Sequence, residues 1–357
     1  MKILFLTDQM HLHGGIERIL SQKINYLIDF YQHDVFLITT EQKNIKPVYE
    51  LESRLKTIDL AINYHRSISY FHPKNILKTL LHFYKLYFVI NKIKPDVIVS
   101  VSTSPEQYLL PFIHKKIPKL KEFHSSRFGY KENKNWKQKL DKTLNLFENL
   151  IVLNADEKKY YSNKNITIIP NFTDFECLEN SKIVKEKTII AAGRIAPVKQ
   201  FDELIKIWAH IAAKNPDWSL KIYGNGDLQI IEQLQQLIKT NQLAQSVLVL
   251  PATSNLKTAM RQASIYAMTS SSECFPMVLL EAQASGLPII SYNCPTGPKH
   301  IVADKQNGFL IEPNDQLAFA TQLQLLINDN NLQNKLRAQA QLNVINFKKE
   351  KIMQKWH

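Results

Sequence analysis

Glycine is scarce in this sequence. The 357 residues include only nine glycines, whereas an average usage of about 7% would give roughly 25. Most of them lie in short motifs, such as those at residues 13–15 and 223–226. A chain that avoids glycine elsewhere is expected to keep it where a turn or a close backbone approach requires it. These motifs are therefore candidate functional loops.

Cysteine is also rare, and long apolar runs are missing. Cys177, Cys274 and Cys294 form no CxxC pair and are too few for a disulfide framework, so we expect reduced thiols in a cytoplasmic protein. No stretch reaches the ~18 uncharged apolar residues expected of a membrane-spanning helix. The first ten residues, MKILFLTDQM, contain an acid at Asp8 and no small-residue cleavage site. They predict a first β-strand and not a signal peptide.

The charge of the chain is strongly unbalanced. A net charge of +13 and a pI near 9.4 indicate an anionic partner. The segment from Pro73 to Lys94 mixes leucines and aromatics with five lysines and no acids. Two interpretations remain open for it, an amphipathic helix on an anionic bilayer and a core helix with its lysines in solvent. No recognised nucleic-acid-binding motif accompanies the charge, so nucleic acid is not expected as a partner.

Strands and helices alternate in two successive series, which predicts two α/β domains. Apolar runs predict parallel strands at Lys2–Thr7, Asp34–Thr39, Asp96–Val101, Asn149–Leu153, Thr188–Ala192, Leu220–Tyr223, Val247–Leu250, Ile265–Thr269 and Ile289–Tyr292. Helical patterns cover Gly15–Phe30, Asn75–Lys92, Gln200–Ala213 and Asp227–Thr240. The length, at about 150 residues per domain, agrees with two domains. We expect two doubly wound domains that face each other across a ligand-binding cleft.

The segment from Ser270 to Pro288 is the most informative. It follows a predicted buried strand, and its spacing becomes helical from Met277 onwards. Glu273 therefore lies in the loop between strand and helix, and Glu281, eight residues later, lies about one turn into the helix. At the carboxyl end of a parallel strand, both carboxylates are expected to face the ligand crevice. The alternative is that two solvated acids flank an ordinary αβ unit.

Six motifs together resemble those of the retaining glycosyltransferases of family 4, which have the GT-B fold. They are HGGIER (13–18), IIPNFTD (168–174), AAGRIAPVKQFDELI (191–205), IYGNGD (222–227), the E-x7-E segment and CPTGPKHIVADKQNGFLIEPND (294–315). The resemblance covers nearly the whole chain. It implies an acceptor-side Rossmann-like domain over residues 1–172, with a C-terminal helix at about 343–357 crossing back to it. A nucleotide-sugar-binding Rossmann-like domain would cover residues 173–342.

In this family, an arginine and a lysine bind the diphosphate of the donor, and Arg194 and Lys199 match them. Arg194 offers a planar fork for phosphate oxygens and Lys199 a compact point charge. Basic residues at a helix start oppose the helix dipole, which favours a functional role over a solvated one. Gly14 and Gly15 lie where the first strand passes into a helix, so their amides are candidates to meet phosphates.

The two glutamates are expected to bind the sugars of the donor. The resemblance assigns Glu281 to the ribose hydroxyls, which suits a carboxylate because it has two acceptor oxygens. Glu273 is assigned to the hydroxyls of the transferred sugar. The backbone amides of Phe275, Met277 and Val278 would assist, since the intervening proline lacks an N–H.

Further positions match the family less closely. His124 follows a strand and matches the histidine of the N-terminal domain that lies near the sugar, and a structural or surface histidine is the alternative. Gly224 would shape the adjoining wall. Cys274 stands where the family often has glycine, which bears on sugar specificity. The loop at residues 249–255 resembles the base-binding loop but lacks its usual glycine, so the identity of the base stays open.

The expected reaction needs neither metal nor cofactor, because the chain has no D-x-D and no metal-spaced His/Cys cluster. Arg194, Lys199 and helix N-termini would instead ease departure of the diphosphate. The resemblance implies a retaining transfer of a hexose or N-acetylhexosamine from a UDP-sugar to a lipid-linked saccharide. The protein would act at the cytoplasmic face of the inner membrane in bacterial lipopolysaccharide, capsule or O-antigen synthesis. The alternatives on this fold are a nucleotide-sugar epimerase and a non-catalytic sugar- or lipid-binding protein.

Overall fold

The computed structural model describes residues 1–70, 72–101, 105–128, 142–161, 165–175 and 185–357. The chain divides into two compact units, Met1–Ile169 with His357, and Pro170–Trp356. The boundary expected from the sequence lies between residues 172 and 173. Of the segment expected to cross back to the first domain, residues up to Trp356 group with the second unit, and His357 groups with the first.

The first unit is built on a seven-stranded parallel sheet. Its strands are β1 (Lys2–Thr7), β2 (Asp34–Thr39), β3 (Lys56–Asp59), β4 (Val97–Ser100), β5 (Lys119–Glu122), β6 (Asn149–Val152) and β7 (Ile166–Ile168). Its helices are α1 (Gly15–Asp29), α2 (Pro73–Ile93), α3 (Glu106–Leu109) and α4 (Ala155–Lys158), with 3-10 turns at Leu110–Phe112 and Lys142–Leu146. In the strand order β3-β2-β1-β4-β5-β6-β7, β2 and β3 lie on one side of β1, and β4 to β7 lie on its other side.

The second unit contains a six-stranded parallel sheet. Its strands are β8 (Thr188–Ala192), β9 (Ser219–Tyr223), β10 (Val247–Leu250), β11 (Ile265–Met268), β12 (Ile289–Tyr292) and β13 (Gly308–Ile311). Its helices are α5 (Phe201–Ala209), α6 (Leu228–Thr240), α7 (Leu256–Gln262), α8 (Met277–Ala284), α9 (Gln316–Asn328), α10 (Asn330–Val344) and α11 (Lys349–Met353). Its 3-10 turns are Pro197–Lys199, Ala212–Lys214, Pro298–His300 and Ile345–Phe347. The order β10-β9-β8-β11-β12-β13 is that of a Rossmann sheet.

The apolar runs of the sequence explain why these segments form central strands. Strands of a parallel sheet are covered on both faces, so they are apolar without alternation. Every residue of β8, β11 and β12 is buried, as are five of the six residues of β1. Helix α8 is also buried on nearly all sides, with Leu279, Leu280, Ala282 and Ala284 in the interior. This burial carries Glu281 into the interior with them.

The predicted fold class is confirmed, because both units are parallel Rossmann-like sheets. The predicted bounds of β1, β2, β8, β10 and β12 agree with the structure, and the other predicted strands differ only at their ends. The predicted helix over residues 200–213 is shorter, because α5 ends at Ala209 and a 3-10 turn follows. Four strands, β3, β5, β7 and β13, had no predicted bounds, and β5 was expected only as the strand that precedes His124.

Candidate active site

The loops that follow β8 and β11 meet at the point where the second sheet reverses its strand order. In open α/β sheets, this crevice at the carboxyl ends of the strands is where ligands bind. Two hydrogen bonds join the loops: the Ser271 amide donates to the Val198 carbonyl at 2.9 Å, and the Thr269 hydroxyl donates to the Gln200 carbonyl at 2.8 Å. The segment with the predicted basic residues is thereby held against the segment with the first glutamate.

Lys199 and Glu273 form an ion pair across these two loops. The Lys199 Nζ atom lies 2.6 Å from Glu273 Oε1, and the two side chains are 22% and 13% exposed. Lys199 ends a 3-10 turn, and the next residue, Gln200, is left-handed with φ 47°. The structure therefore brings together two residues that the sequence analysis assigned to neighbouring parts of one ligand. Because the pair is partly exposed, a ligand can reach it.

A third loop, which follows β12, fixes the backbone of Glu273. The Thr296 hydroxyl donates to the Glu273 carbonyl at 2.7 Å, and the two residues form an isolated parallel bridge. A Cβ added at Gly297 would lie 2.7 Å from Glu273 Cβ, so only glycine fits at this position. This segment matches the family motif, but its sequence alone predicted no role for Thr296 or Gly297. The Thr296-Gly297 pair, which follows the predicted strand Ile289–Tyr292, was the sequence signal that could have indicated this role.

Glu281 lies one turn into α8, as predicted, and is 2% exposed. Tyr266 of β11 is close enough for the charge of Glu281 to act on it. Burial raises the pKa of Tyr266 far above its ordinary value, and the charges of Glu281 and Glu273 raise it further. The Tyr266 hydroxyl donates to the Ala192 carbonyl at 3.2 Å. It therefore connects β11 to the end of β8.

The start of α8 supplies backbone donors beside Glu273. Pro276 precedes the helix, and Met277 and Val278 are its first residues. The first amides of a helix have no intrahelical acceptor, so Met277 and Val278 suit the predicted donor role. The Phe275 side chain is buried, with its ring centroid 5.8 Å from that of Phe347. This contact anchors the loop that carries Glu273.

Gly224 acts on this site through backbone packing. A Cβ added at Gly224 would lie 2.0 Å from the Gly193 carbonyl oxygen, so β-carbon-bearing residues are excluded there. The same packing continues one step on, where Ile195 and Gly226 form an isolated parallel bridge. It positions the segment that carries Arg194. Arg194 itself is exposed, and among the described residues it has no ion-pair partner.

In the first unit, His124 belongs to a buried charged cluster. His124 Nε2 lies 3.0 Å from Glu122 Oε1, and Lys23 Nζ lies 2.5 Å from the same oxygen. Burial alone would raise the pKa of Glu122, but Lys23 and His124 outweigh it and lower that pKa to about 2. Glu122 and Lys23 are not among the site residues predicted from the sequence. Glu122 stands two positions before His124 at a strand end, a spacing that places both side chains on one face.

At the start of α1, an acidic side chain lies beside the predicted phosphate-binding glycines. Gly15 begins the helix, and Gly14 precedes it. A Cβ added at Gly14 would lie 2.0 Å from Glu17 Oε2, and Gln9 Nε2 donates to Glu17 Oε1 at 2.5 Å. The carboxylate of Glu17 therefore fills the space beside Gly14. A phosphate that binds at Gly14 has to displace it.

Two of these carboxylates are paired with cations of the chain itself. Glu273 is paired with Lys199, and Glu122 is paired with Lys23 and His124. Within the described ranges, no group of three or more His, Cys, Asp or Glu side chains is arranged to hold a metal ion.

The second unit matches a known protein family. Residues 174–343 match the model of the family described as Glycosyl transferases group 1. The chain is also 26% identical over 371 residues to the amylovoran biosynthesis glycosyltransferase AmsD of Erwinia amylovora, covering 100% of this chain and 98% of that one. An uncharacterized glycosyltransferase of Haemophilus influenzae is 35% identical over 215 residues, covering 58% of this chain and 60% of that one.

Two further comparisons cover whole chains. A Campylobacter jejuni α-1,4-N-acetyl-D-galactosaminyltransferase, named for an acceptor linked to PP-undecaprenol, is 27% identical over 362 residues and covers 100% of this chain and 97% of its own. The crystal structure of S. aureus TarM, in complex with UDP among other ligands, superimposes with a TM-score of 0.79 at 15% identity. That match covers 99% of this chain and 98% of TarM.

Two Rossmann-like parallel sheets give the chain the GT-B fold, which it shares with TarM. The protein is a glycosyltransferase, and its second unit carries the group 1 domain.

Proposed function

We propose that the protein is a retaining, metal-independent glycosyltransferase. It transfers a hexose or an N-acetylhexosamine from a UDP-sugar to a lipid-linked saccharide in the synthesis of a bacterial surface glycan. It works as a peripheral protein at the cytoplasmic face of the inner membrane. The observation that carries the proposal is the pairing of Lys199 with Glu273 at the switch point of the second sheet.

The geometry of the second unit supports a nucleotide-sugar site there. Lys199 and Arg194 supply two positive charges beside the carboxyl end of β8, where the diphosphate of a donor binds. Glu273, one hydrogen bond from Lys199, accepts from hydroxyls of the transferred sugar, and Glu281 accepts from the ribose. The amides at the start of α8 add donors to the same site.

The relatives support the proposed donor and acceptor. The Campylobacter protein is named for transfer of N-acetylgalactosamine to a saccharide on PP-undecaprenol, and AmsD is named for the biosynthesis of amylovoran. TarM was crystallised with UDP. These names favour a UDP-linked sugar and a lipid-linked saccharide for this chain as well.

In the proposed reaction, the bond from the anomeric carbon to the diphosphate breaks as the acceptor hydroxyl attacks the same face of the sugar. The leaving phosphate takes the proton of the acceptor. Arg194 and Lys199 stabilise the negative charge that develops on the phosphate, as preorganised cations do in other transferases. Glu273 orients the sugar and is not a covalent nucleophile. His124, whose ring is held by Glu122, is the residue of the first unit that the family resemblance assigns to the donor sugar.

The decisive experiment measures nucleoside diphosphate release from a panel of UDP- and GDP-sugars in EDTA. It is run with and without a bacterial extract of lipid-linked saccharides. We expect UDP release from one sugar that the extract stimulates, with retention of configuration in the isolated product. Release that requires added magnesium or manganese would contradict metal independence. Interconversion of the donor without an acceptor would favour an epimerase instead.

A further inference from the structure

Helix α2 presents a large apolar surface to solvent. Its buried stripe, which includes His82, Leu86 and Ile90, packs into the first unit. The opposite side is also apolar, with Leu77 73% exposed and Tyr84 61% exposed. A helix that only covers a sheet has one apolar stripe and an opposite polar face. Packing in the core therefore explains one stripe of α2 and leaves the second without a structural role.

The exposed apolar residues form a continuous row. Leu77, Leu81, Tyr84 and Phe88 follow each other at steps of four, three and four residues, and all four are exposed. Residues at this spacing lie on one side of a helix. Leu80, 63% exposed, adjoins the row. We call this surface, together with the lysines described next, the α2 face.

A row of lysines lies along one flank of the apolar row. Lys74, Lys78, Lys85 and Lys92 are separated by four, seven and seven residues, a spacing that keeps them on one side of the helix. The ammonium groups of Lys78 and Lys85 donate to the carbonyls of Asn63 and Leu60, and Lys74 and Lys92 are exposed. No acid occurs between residues 73 and 94.

The surface continues beyond the helix into the turn before β5. The rings of Tyr87 and His114 are stacked with centroids 4.6 Å apart, which joins the turn to α2. Phe112 is exposed in this turn, and so are Lys115 and Lys116. Apolar and basic side chains therefore extend together over both elements.

We propose that the α2 face docks the protein on an anionic lipid bilayer. Its apolar row enters the boundary between headgroups and acyl chains, and its lysines contact acidic headgroups. An amphipathic helix with apolar and basic side chains lies in the plane of the membrane surface, so we expect α2 to lie parallel to it. A second copy of the chain is a poorer occupant, because this face offers no acid to pair with the lysines of the copy. The inference deepens the proposed function, since a lipid-linked acceptor is reached at a bilayer.

The test measures binding of the full chain to vesicles by flotation. Wild-type protein is expected to float with vesicles of phosphatidylglycerol mixed with phosphatidylcholine and to be released by high salt, because screening weakens contacts between exposed charges. It should bind far less to vesicles of phosphatidylcholine alone. Equal binding to both, or no binding to either, would overturn the proposal.

Matched variants separate the α2 face from net charge. Each lysine at an anionic surface contributes about fivefold in binding, so Lys74→Gln with Lys92→Gln should weaken binding by roughly 25-fold. The control Lys214→Gln with Lys239→Gln removes the same charge from exposed positions of the second unit and should retain wild-type binding. Equal losses in both pairs would show a general charge effect and overturn the assignment to α2.

The apolar row is tested in the same way. Leu77→Gln with Tyr84→Gln should weaken vesicle binding by about tenfold or more, since two apolar contacts are lost. Leu228→Gln with Leu317→Gln, at comparably exposed positions, is the control. If Leu77→Gln with Tyr84→Gln instead abolishes a dimer of the wild type and leaves vesicle binding intact, the face belongs to a second copy.

Donor chemistry is followed separately, as UDP binding without lipid. The α2 variants should bind UDP like the wild type. Wild-type protein that floats with anionic vesicles but neither binds UDP nor turns over any donor would refute the proposed function and leave the bilayer surface standing. Protein that turns over a donor but does not float would refute only the proposal that the α2 face docks on a bilayer.

Discussion

Lys199 and Glu273 are 74 residues apart in the sequence, yet their charged atoms lie 2.6 Å apart at the carboxyl edge of the second sheet. The pair has a consequence for ligand binding. Lys199 attracts an incoming diphosphate, whereas the carboxylate of Glu273 repels the diphosphate. The proposed site therefore exchanges one internal ion pair for contacts to the donor, with phosphate on Lys199 and sugar hydroxyls on Glu273.

Removal of either basic residue should slow the reaction. Lys199→Ala and Arg194→Ala should each lower kcat/KM on the order of 10²–10³, because each removes charge that stabilises the leaving diphosphate. Initial rates of UDP release measure this. Lys206→Ala is the control, since that lysine lies nearby on α5 and pairs with Asp202 and Glu203 of the same helix. A loss below about threefold would remove the residue from the site.

Neutralising Glu273 should separate catalysis from nucleotide binding. Glu273→Gln should lower kcat on the order of 10²–10³ if the carboxylate orients the sugar. The affinity for UDP should not weaken, because Lys199 loses its internal partner and stays available to phosphate. Calorimetry with UDP and turnover with the UDP-sugar give the two quantities. Clearly weaker UDP binding would place Glu273 at the nucleotide instead.

Glu281 should act mainly on the nucleotide. Hydrogen bonds to a charged group contribute about 1.5–3 kcal/mol, so Glu281→Ala should weaken UDP binding about tenfold or more. Glu281 is buried, so a thermal melt of the variant must first show that it is folded. Unchanged affinity for UDP in a folded variant would refute the ribose role.

Two glycines should differ in what they tolerate. Gly224→Ala should lower the free energy of unfolding by about 2 kcal/mol or more, because the new Cβ would lie 2.0 Å from the Gly193 carbonyl oxygen. Gly15→Ala should cause no loss, since nothing lies within 4 Å of a Cβ there. Urea unfolding of both variants measures the contrast. If Gly15→Ala is folded, a change in its affinity for UDP reflects phosphate binding and not a loss of stability.

The Lys23–Glu122–His124 cluster should make the stability depend on acid. The pKa of Glu122 is lowered from 4.5 to about 2 in the folded protein, so its stabilising contribution is complete above pH 4.5 and is lost as the pH falls towards 2. The loss over this window amounts to at most about 3 kcal/mol. Urea unfolding between pH 6 and pH 3 measures it.

The matched variant for this experiment is Lys23→Met with Glu122→Gln, which removes the Lys23–Glu122 ion pair and leaves His124 beside a neutral amide. Its stability should fall less steeply below pH 4.5 than that of the wild type, because the lowered pKa of Glu122 is gone. Equal slopes in the two proteins would show that other carboxylates determine the acid sensitivity.

The sequence predicted the apolar strands well and the polar or very short strands poorly. β1, β8 and β12 are mostly apolar because both of their faces are covered, and such runs are recognisable without any structure. β3 begins with Lys56 and ends with Asp59, and β7 has only three residues. Both lie at an edge of the first sheet, so little burial constrains their composition.

The candidate site also combines features that local sequence predicts with contacts that it does not. The pattern around Glu273 and Glu281 predicted one carboxylate in a loop and the other one turn into a helix, because local sequence determines both elements. The contact of Thr296 with the Glu273 backbone and the cluster around Glu122 join segments far apart in the sequence. Local patterns carry no information on such pairs.

The sequence by itself determined the two series of strands and helices, the class of enzyme that its motifs resemble, and the residue types offered to a diphosphate and a diol. Only the tertiary structure decided which of those residues touch. It paired Lys199 with Glu273 and Lys23 with Glu122. The tertiary structure also decided that the apolar row of α2 faces solvent. Periodicity shows that this helix has two apolar stripes, but it does not show which of them the sheet covers.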